Sequence, residues 1–148
     1  MSLEKICCFC GHGKEWDLPI DIDNRIESAI IELIADGVLI YYSGGMGAFD
    51  NKCEAVVGKL KRKDKRIKLI LVIPYITKRI DDLYREKRYD EIIFPDLGNV
   101  HYKAAIQKRN YWMVDNSDYL LAYVKNREGG ARKSFEYAKR RGKKIVRL

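Results

Sequence analysis

Two kinds of apolar pattern alternate along this chain. Lys5 to Cys10 is a short run of apolar residues ending at Gly11-His12-Gly13, which predicts a buried strand followed by a turn. From Asp21 to Ala35 the residues Ile22, Ile26, Ile30, Ile31 and Ile34 recur at helical spacing, and Asp36-Gly37 supplies a stop. Val38 to Tyr42 is continuous apolar sequence again. Ser43-Gly44-Gly45-Met46-Gly47 breaks it before a helix through Asp50, Glu54, Val57 and Leu60. A third strand, Ile67 to Ile73, is halted by Pro74. Between Ile76 and Pro95 the pattern is less regular, and it predicts a helix near Lys78 to Glu86 and a short strand at Glu91 to Phe94. Then come a helix from His101 to Val114, a strand from Tyr119 to Val124, the pair Gly129-Gly130, a helix from Lys133 to Arg141 and a last strand from Lys144 to Leu148.

Strands that are apolar on both faces must be covered on both, and helices between successive strands make parallel connections. The pattern therefore predicts an α/β domain over residues 1–148, a mainly parallel sheet with helices on each side. Right-handed crossovers then bring the turns after the strands to one edge of the sheet, where open α/β folds bind ligands. Three of those turns carry glycine: Gly11-His12-Gly13, Gly44-Gly45-Met46-Gly47 and Gly129-Gly130. They are expected to share one crevice, with helix amides free to meet an anion such as phosphate.

Composition adds limits. With 148 residues, 47% hydrophobic and 34% charged, the chain can bury one core and is not a disordered tail. No apolar stretch approaches the roughly 20 residues of a membrane span, and the first residues show no leader pattern, so a cytoplasmic protein without a membrane partner is expected. The net charge of +8 is local. Residues 59–68 hold seven bases and residues 139–147 hold six, and without those and Asp64 the chain has 16 bases against 20 acids. The commoner account of such runs is a solvated helix end, with nucleic acid as the alternative.

Candidate chemistry is spread over several residues. Cys8, Cys10 and His12 alternate along one strand face, but no Cys-x-x-Cys pair supports a metal site, so buried reduced thiols, no metal and no cofactor are expected. His12 either meets a ligand from the first turn or caps local backbone. Asp50 either caps its helix or accepts bonds from sugar hydroxyls. Arg109, beside Trp112 and Met113, and Glu136, one turn into the last helix, either form surface ion pairs or act on a base–sugar bond. There a guanidinium holds phosphate or carboxylate and a carboxylate steadies developing positive charge.

Taken in order, Ile6-Cys7-Cys8-Phe9-Cys10-Gly11-His12, Ser43-Gly44-Gly45-Met46-Gly47-Ala48-Phe49-Asp50, Leu71-Val72-Ile73-Pro74-Tyr75, Arg109 to Asp115, and Gly129-Gly130 to Glu136-Tyr137-Ala138 resemble the YpsA-like branch of the SLOG superfamily. That superfamily includes the DNA-processing protein DprA and the LOG phosphoribohydrolases. The resemblance implies a Rossmann-like three-layer α/β/α sandwich. It also implies a nucleotide or nucleotide-derived ligand bound by Gly11, His12, Ser43, Gly44, Gly45, Gly47, Asp50, Gly129 and Gly130. In LOG enzymes an arginine four residues before a methionine and the glutamate closing Gly-Gly-x-Gly-Thr-x-x-Glu act on the N-glycosidic bond of a nucleoside monophosphate. Arg109 with Met113, and Glu136 after Gly129-Gly130, fall at those spacings, while Arg132 and Lys133 replace the glycine and threonine.

Three functions follow as expectations: a nucleotide-binding module first, an N-glycosidic hydrolase using Arg109 and Glu136 second, and a DprA-like nucleic-acid binder third. The superfamily often forms oligomers, so a homo-oligomer stays open.

Overall fold

The computed structural model describes residues 4–148, with Tyr84 and Arg85 described in their backbone alone. Six strands and five helices alternate along the chain: β1 (Lys5–Gly11), α1 (Ile22–Ala35), β2 (Val38–Ser43), α2 (Ala48–Lys61), β3 (Lys68–Val72), α3 (Ile80–Glu86), β4 (Glu91–Ile93), α4 (Tyr102–Asp115), β5 (Tyr119–Tyr123), α5 (Gly130–Arg140) and β6 (Lys144–Arg147). All five strand pairings are parallel, in the order β4-β3-β2-β1-β5-β6. The chain runs outward from β1 to β4, and α4 returns it to β5 on the other side of β1. The order reverses between β1 and β5, which is where such a sheet leaves a crevice at its carboxyl edge.

Strand alternation divides the interior into two layers. Cys7, Phe9, Tyr41, Leu69 and Leu121 face α1 and α2. Cys8, Cys10, Tyr42, Ile70, Leu120 and Ala122 face α4 and α5, against Met113, Val114 and Phe135. All four cysteines are buried free thiols, and burial raises each above the usual thiol range.

In α1 the buried face is Ile22, Ile26, Ala29, Ile30 and Leu33. Ile31, which the sequence placed on that face, is exposed. It lies about 100° around the helix from Ile30, and Ala29 and Leu33 complete the stripe instead. The last helix starts at Gly130 rather than Lys133, because Gly129 adopts φ 100° and ψ 178° and turns the chain into it. No helix among the described residues is long and apolar enough to cross a membrane.

Candidate functional site

The second glycine turn meets the first directly. Gly13 and Gly47 touch through their backbones, and the α2 amides of Ala48 and Phe49 donate to Gly13 O (2.9 Å) and His12 O (3.2 Å). Two amides that the sequence left free for an anion at the start of α2 are thus engaged by the turn after β1. The third turn differs: the first amide of α5 with a backbone acceptor is that of Lys133, on Gly129 O. It is linked to the first turn through His12, whose Nε2 accepts from the Lys125 amide at 2.9 Å. This bond reaches the end of β5 rather than the local backbone of the first turn that the sequence suggested. Burial lowers the pKa of His12, in keeping with a neutral ring that accepts at Nε2.

Gly11 has a packing role, because a Cβ there would lie 2.2 Å from the Phe49 ring. Gly44 serves Arg109: a Cβ would come within 2.9 Å of the guanidinium carbon. Arg109 leaves α4 and crosses the carboxyl ends of β2 and β3, and it is only 2% exposed. Its Nη1 donates to Gly44 O (3.1 Å) and Val72 O (2.8 Å), and its Nε donates to Asn110 Oδ1. Nη2 has, among the described residues, only the thioether of Met46, at 3.5 Å. Among the described residues no carboxylate lies within 4 Å of this cation. Burial pulls its pKa below the usual range, against the fields of Asp50 and Tyr75. Arg109 is therefore not in a surface ion pair.

Asp50 stands in the first turn of α2, where its Oδ2 accepts from the Met46 amide at 3.2 Å, a bond to the glycine turn that precedes the helix rather than to a helix amide. Burial pushes its carboxyl up to about 7, outweighing that amide and the charge of Arg109. The folded chain then holds a proton that the unfolded chain releases near 3.8, so this contribution to stability is full below pH 3.8 and is lost as pH rises to about 7. The melting temperature of the wild type relative to Asp50→Asn should fall across that window. A constant difference would mean that Asp50 ionises at its ordinary pKa.

Four residues along α2 from Asp50, Glu54 is buried beneath the second turn. It accepts from Ser43 Oγ (2.6 Å) and Tyr89 OH (2.8 Å), while Ser43 Oγ accepts from the Gly45 amide (3.1 Å). Ser43 thus shapes the turn from inside the fold. Above it, a cavity of about 420 Å³ opens at the ends of β2 and β3, lined by Gly44, Gly45, Met46, Tyr75, Arg79 and Tyr89 among others. Of the residues the sequence assigned to a ligand only Gly44 and Gly45 line it; Gly11, His12, Ser43, Gly47, Asp50, Gly129 and Gly130 do not, and neither do Arg109 and Glu136, so the three glycine turns do not share this one cavity. Glu136 is half-buried on α5, its Oε1 accepting from Arg132 Nη1 at 3.2 Å. Arg132 also donates to Asn126 O, tying the loop after β5 to α5.

Arg79 and Tyr89 carried no sequence signal, and Met46 and Tyr75, though inside the second glycine turn and the stretch ending β3, were not singled out as site residues. Three of them follow β3, where the periodicity is weak, and the cavity becomes visible only once the strand ends are aligned.

No family model matches the chain, and no curated protein matches it. Solved structures do. The molybdenum cofactor carrier protein of Chlamydomonas reinhardtii is 17% identical, with a TM-score of 0.62 over 99% of this chain and 77% of that one. The structural-genomics target TM1055 is 12% identical, with a TM-score of 0.60 over 95% of this chain and 72% of its own. DprA of Streptococcus pneumoniae is 15% identical, with a TM-score of 0.66 over 97% of this chain and half of its own length. The Rossmann-like fold implied by the SLOG resemblance is the fold observed, and these proteins share it.

Proposed function

We propose that this chain binds a nucleotide or nucleotide-derived anion at the carboxyl ends of β2 and β3, as a SLOG-type binding module of the YpsA-like branch. One observation carries the reading: a buried guanidinium whose Nη2, among the described residues, meets only a thioether. A sulfur is a weak acceptor, and a buried charge without a strong partner is unfavourable. Met46 is 43% exposed and flexible, so a ligand phosphate or carboxylate can displace it and take a charge-assisted bond from Nη2. Arg79 lines the cavity and offers a second cation, and Asn51 on α2 lines it too and can bond sugar hydroxyls. One structural neighbour is named as a carrier of the molybdenum cofactor, which supports small-ligand carriage on this fold.

Calorimetry with nucleoside mono- and diphosphates, ADP-ribose and cyclic dinucleotides tests it. Saturable one-to-one binding of at least one is expected, and silence across the panel would reject the reading.

A second reading is hydrolysis of the N-glycosidic bond of a nucleoside monophosphate. It is favoured by a half-buried carboxylate, Glu136, the seventh residue of the helix that follows Gly129-Gly130. There Glu136 would steady the developing oxocarbenium and Arg109 would orient the phosphate. Release of free base and ribose 5-phosphate should then be lost in Glu136→Gln. Full activity in that variant would remove Glu136 from the role.

A further inference from the structure

Beside the shared wall of the ligand cavity lies a second, larger concavity of about 610 Å³. It lies between α2, the start of β3 and the chain that enters β4. The cations that line it come from two stretches of the chain: Lys61, Arg62, Lys65 and Lys68 between the end of α2 and the start of β3, and Lys87 and Arg88 after α3. Lys87 holds a left-handed backbone, φ 51°, the only non-glycine residue described with positive φ. That conformation costs about 1–2 kcal/mol in an L-residue and ends α3 where Lys87 and Arg88 join the groove.

The acids nearby are already engaged. Asp90 accepts from Lys61 and from the Leu69 amide, and Glu54 from Ser43 and Tyr89, with Arg88 at 3.7 Å. Arg62, Lys65, Lys68 and Lys87 have no ion pair within 4 Å among the described residues. A solvated helix end spreads its charges outward. Here cations from distant parts of the chain meet over one hollow, where their mutual repulsion is relieved by an anion. Six cations along a concavity of about 610 Å³ offer several phosphate contacts side by side, which suits an extended polyanion better than a single phosphate. Among the described residues no aromatic side chain lines the hollow, so none of them can stack on bases there.

We infer that this groove binds the phosphodiester backbone of nucleic acid without reading its sequence. Affinity for a labelled single-stranded DNA of about twenty nucleotides should fall with salt, with a log–log slope of about −3 if the four unpaired cations each meet one phosphate. The triple variant Arg62→Glu, Lys65→Glu, Lys68→Glu should weaken binding at least tenfold. A control with the same change in net charge, Lys139→Glu, Arg140→Glu, Lys144→Glu on the far helix and strand, should weaken it less than threefold. Arg109→Leu should leave it unchanged, which separates this groove from the ligand cavity. If charge reversal prevents folding, judged by thermal melting, the glutamine versions of both triples replace it with the same ordering expected. Equal losses in the two triples would overturn the inference, as would binding of inorganic tripolyphosphate with no binding of DNA.

Discussion

An Arg109→Leu variant is expected to lose at least about tenfold in affinity for its anionic nucleotide ligand, measured by calorimetry. A hydrogen bond to a charged group contributes about 1.5–3 kcal/mol, which is about 10- to 150-fold in affinity. The loss belongs at the upper end, because Arg109 is 2% exposed and its bond to the ligand forms away from water. Leucine also leaves Gly44 O and Val72 O without their donor, which destabilises the second turn. Folding and binding therefore have to be separated. Met46→Ala does so: it removes the thioether that occupies Nη2 while keeping both carbonyl bonds. That variant should bind as tightly as the wild type or more so, since no side chain has to be displaced. Undiminished affinity in Arg109→Leu, with the chain folded, would remove the anchor from the proposal.

The order of elements was legible because central strands buried on both faces read as unbroken apolar runs. Cys7 to Cys10, and Leu69, Ile70 and Val72, are examples, each residue facing one covered layer or the other. The site was legible only in part. Glycine turns stand out in a sequence, but what they pack against does not. Gly11 exists for Phe49 and Gly44 for Arg109, and neither partner is close in the chain. Arg109 carried no local sign of its burial, because the carbonyls that hold it come from β3 and the turn after β2. Likewise, the α2 amides read as open, and only the fold-back of the chain after β1 shows them engaged. The basic run was visible from its composition. Its convergence with Lys87 and Arg88 was not, since the irregular stretch after β3 gives no periodicity from which to place them.

Replacing Gly47 with alanine should lower stability by about 3–5 kcal/mol, the largest effect expected of any single methyl added at the site. Gly47 sits at φ 96° and ψ 172°, a region open essentially to glycine alone, and forcing another residue there costs about 1–3 kcal/mol. Its Cβ would stand 2.6 Å from Gly13 Cα and 3.3 Å from Gly13 O. These are backbone atoms and cannot swing aside, so the two turns have to part. Parting them breaks the bonds from Ala48 N to Gly13 O and from Phe49 N to His12 O, about 0.5–1.5 kcal/mol each. For a chain of this length the melting temperature should drop by about 10 °C or more. Gly129→Ala is the matched comparison, with nearly the same backbone, φ 100° and ψ 178°, but nothing within 4 Å of the added methyl. It should lose only the backbone share. The difference between the two variants measures the turn-to-turn contact that sets the second turn in place over β2. Equal losses would show that this contact contributes nothing, and that the cavity beside Arg109 is shaped by Glu54 and Ser43 instead.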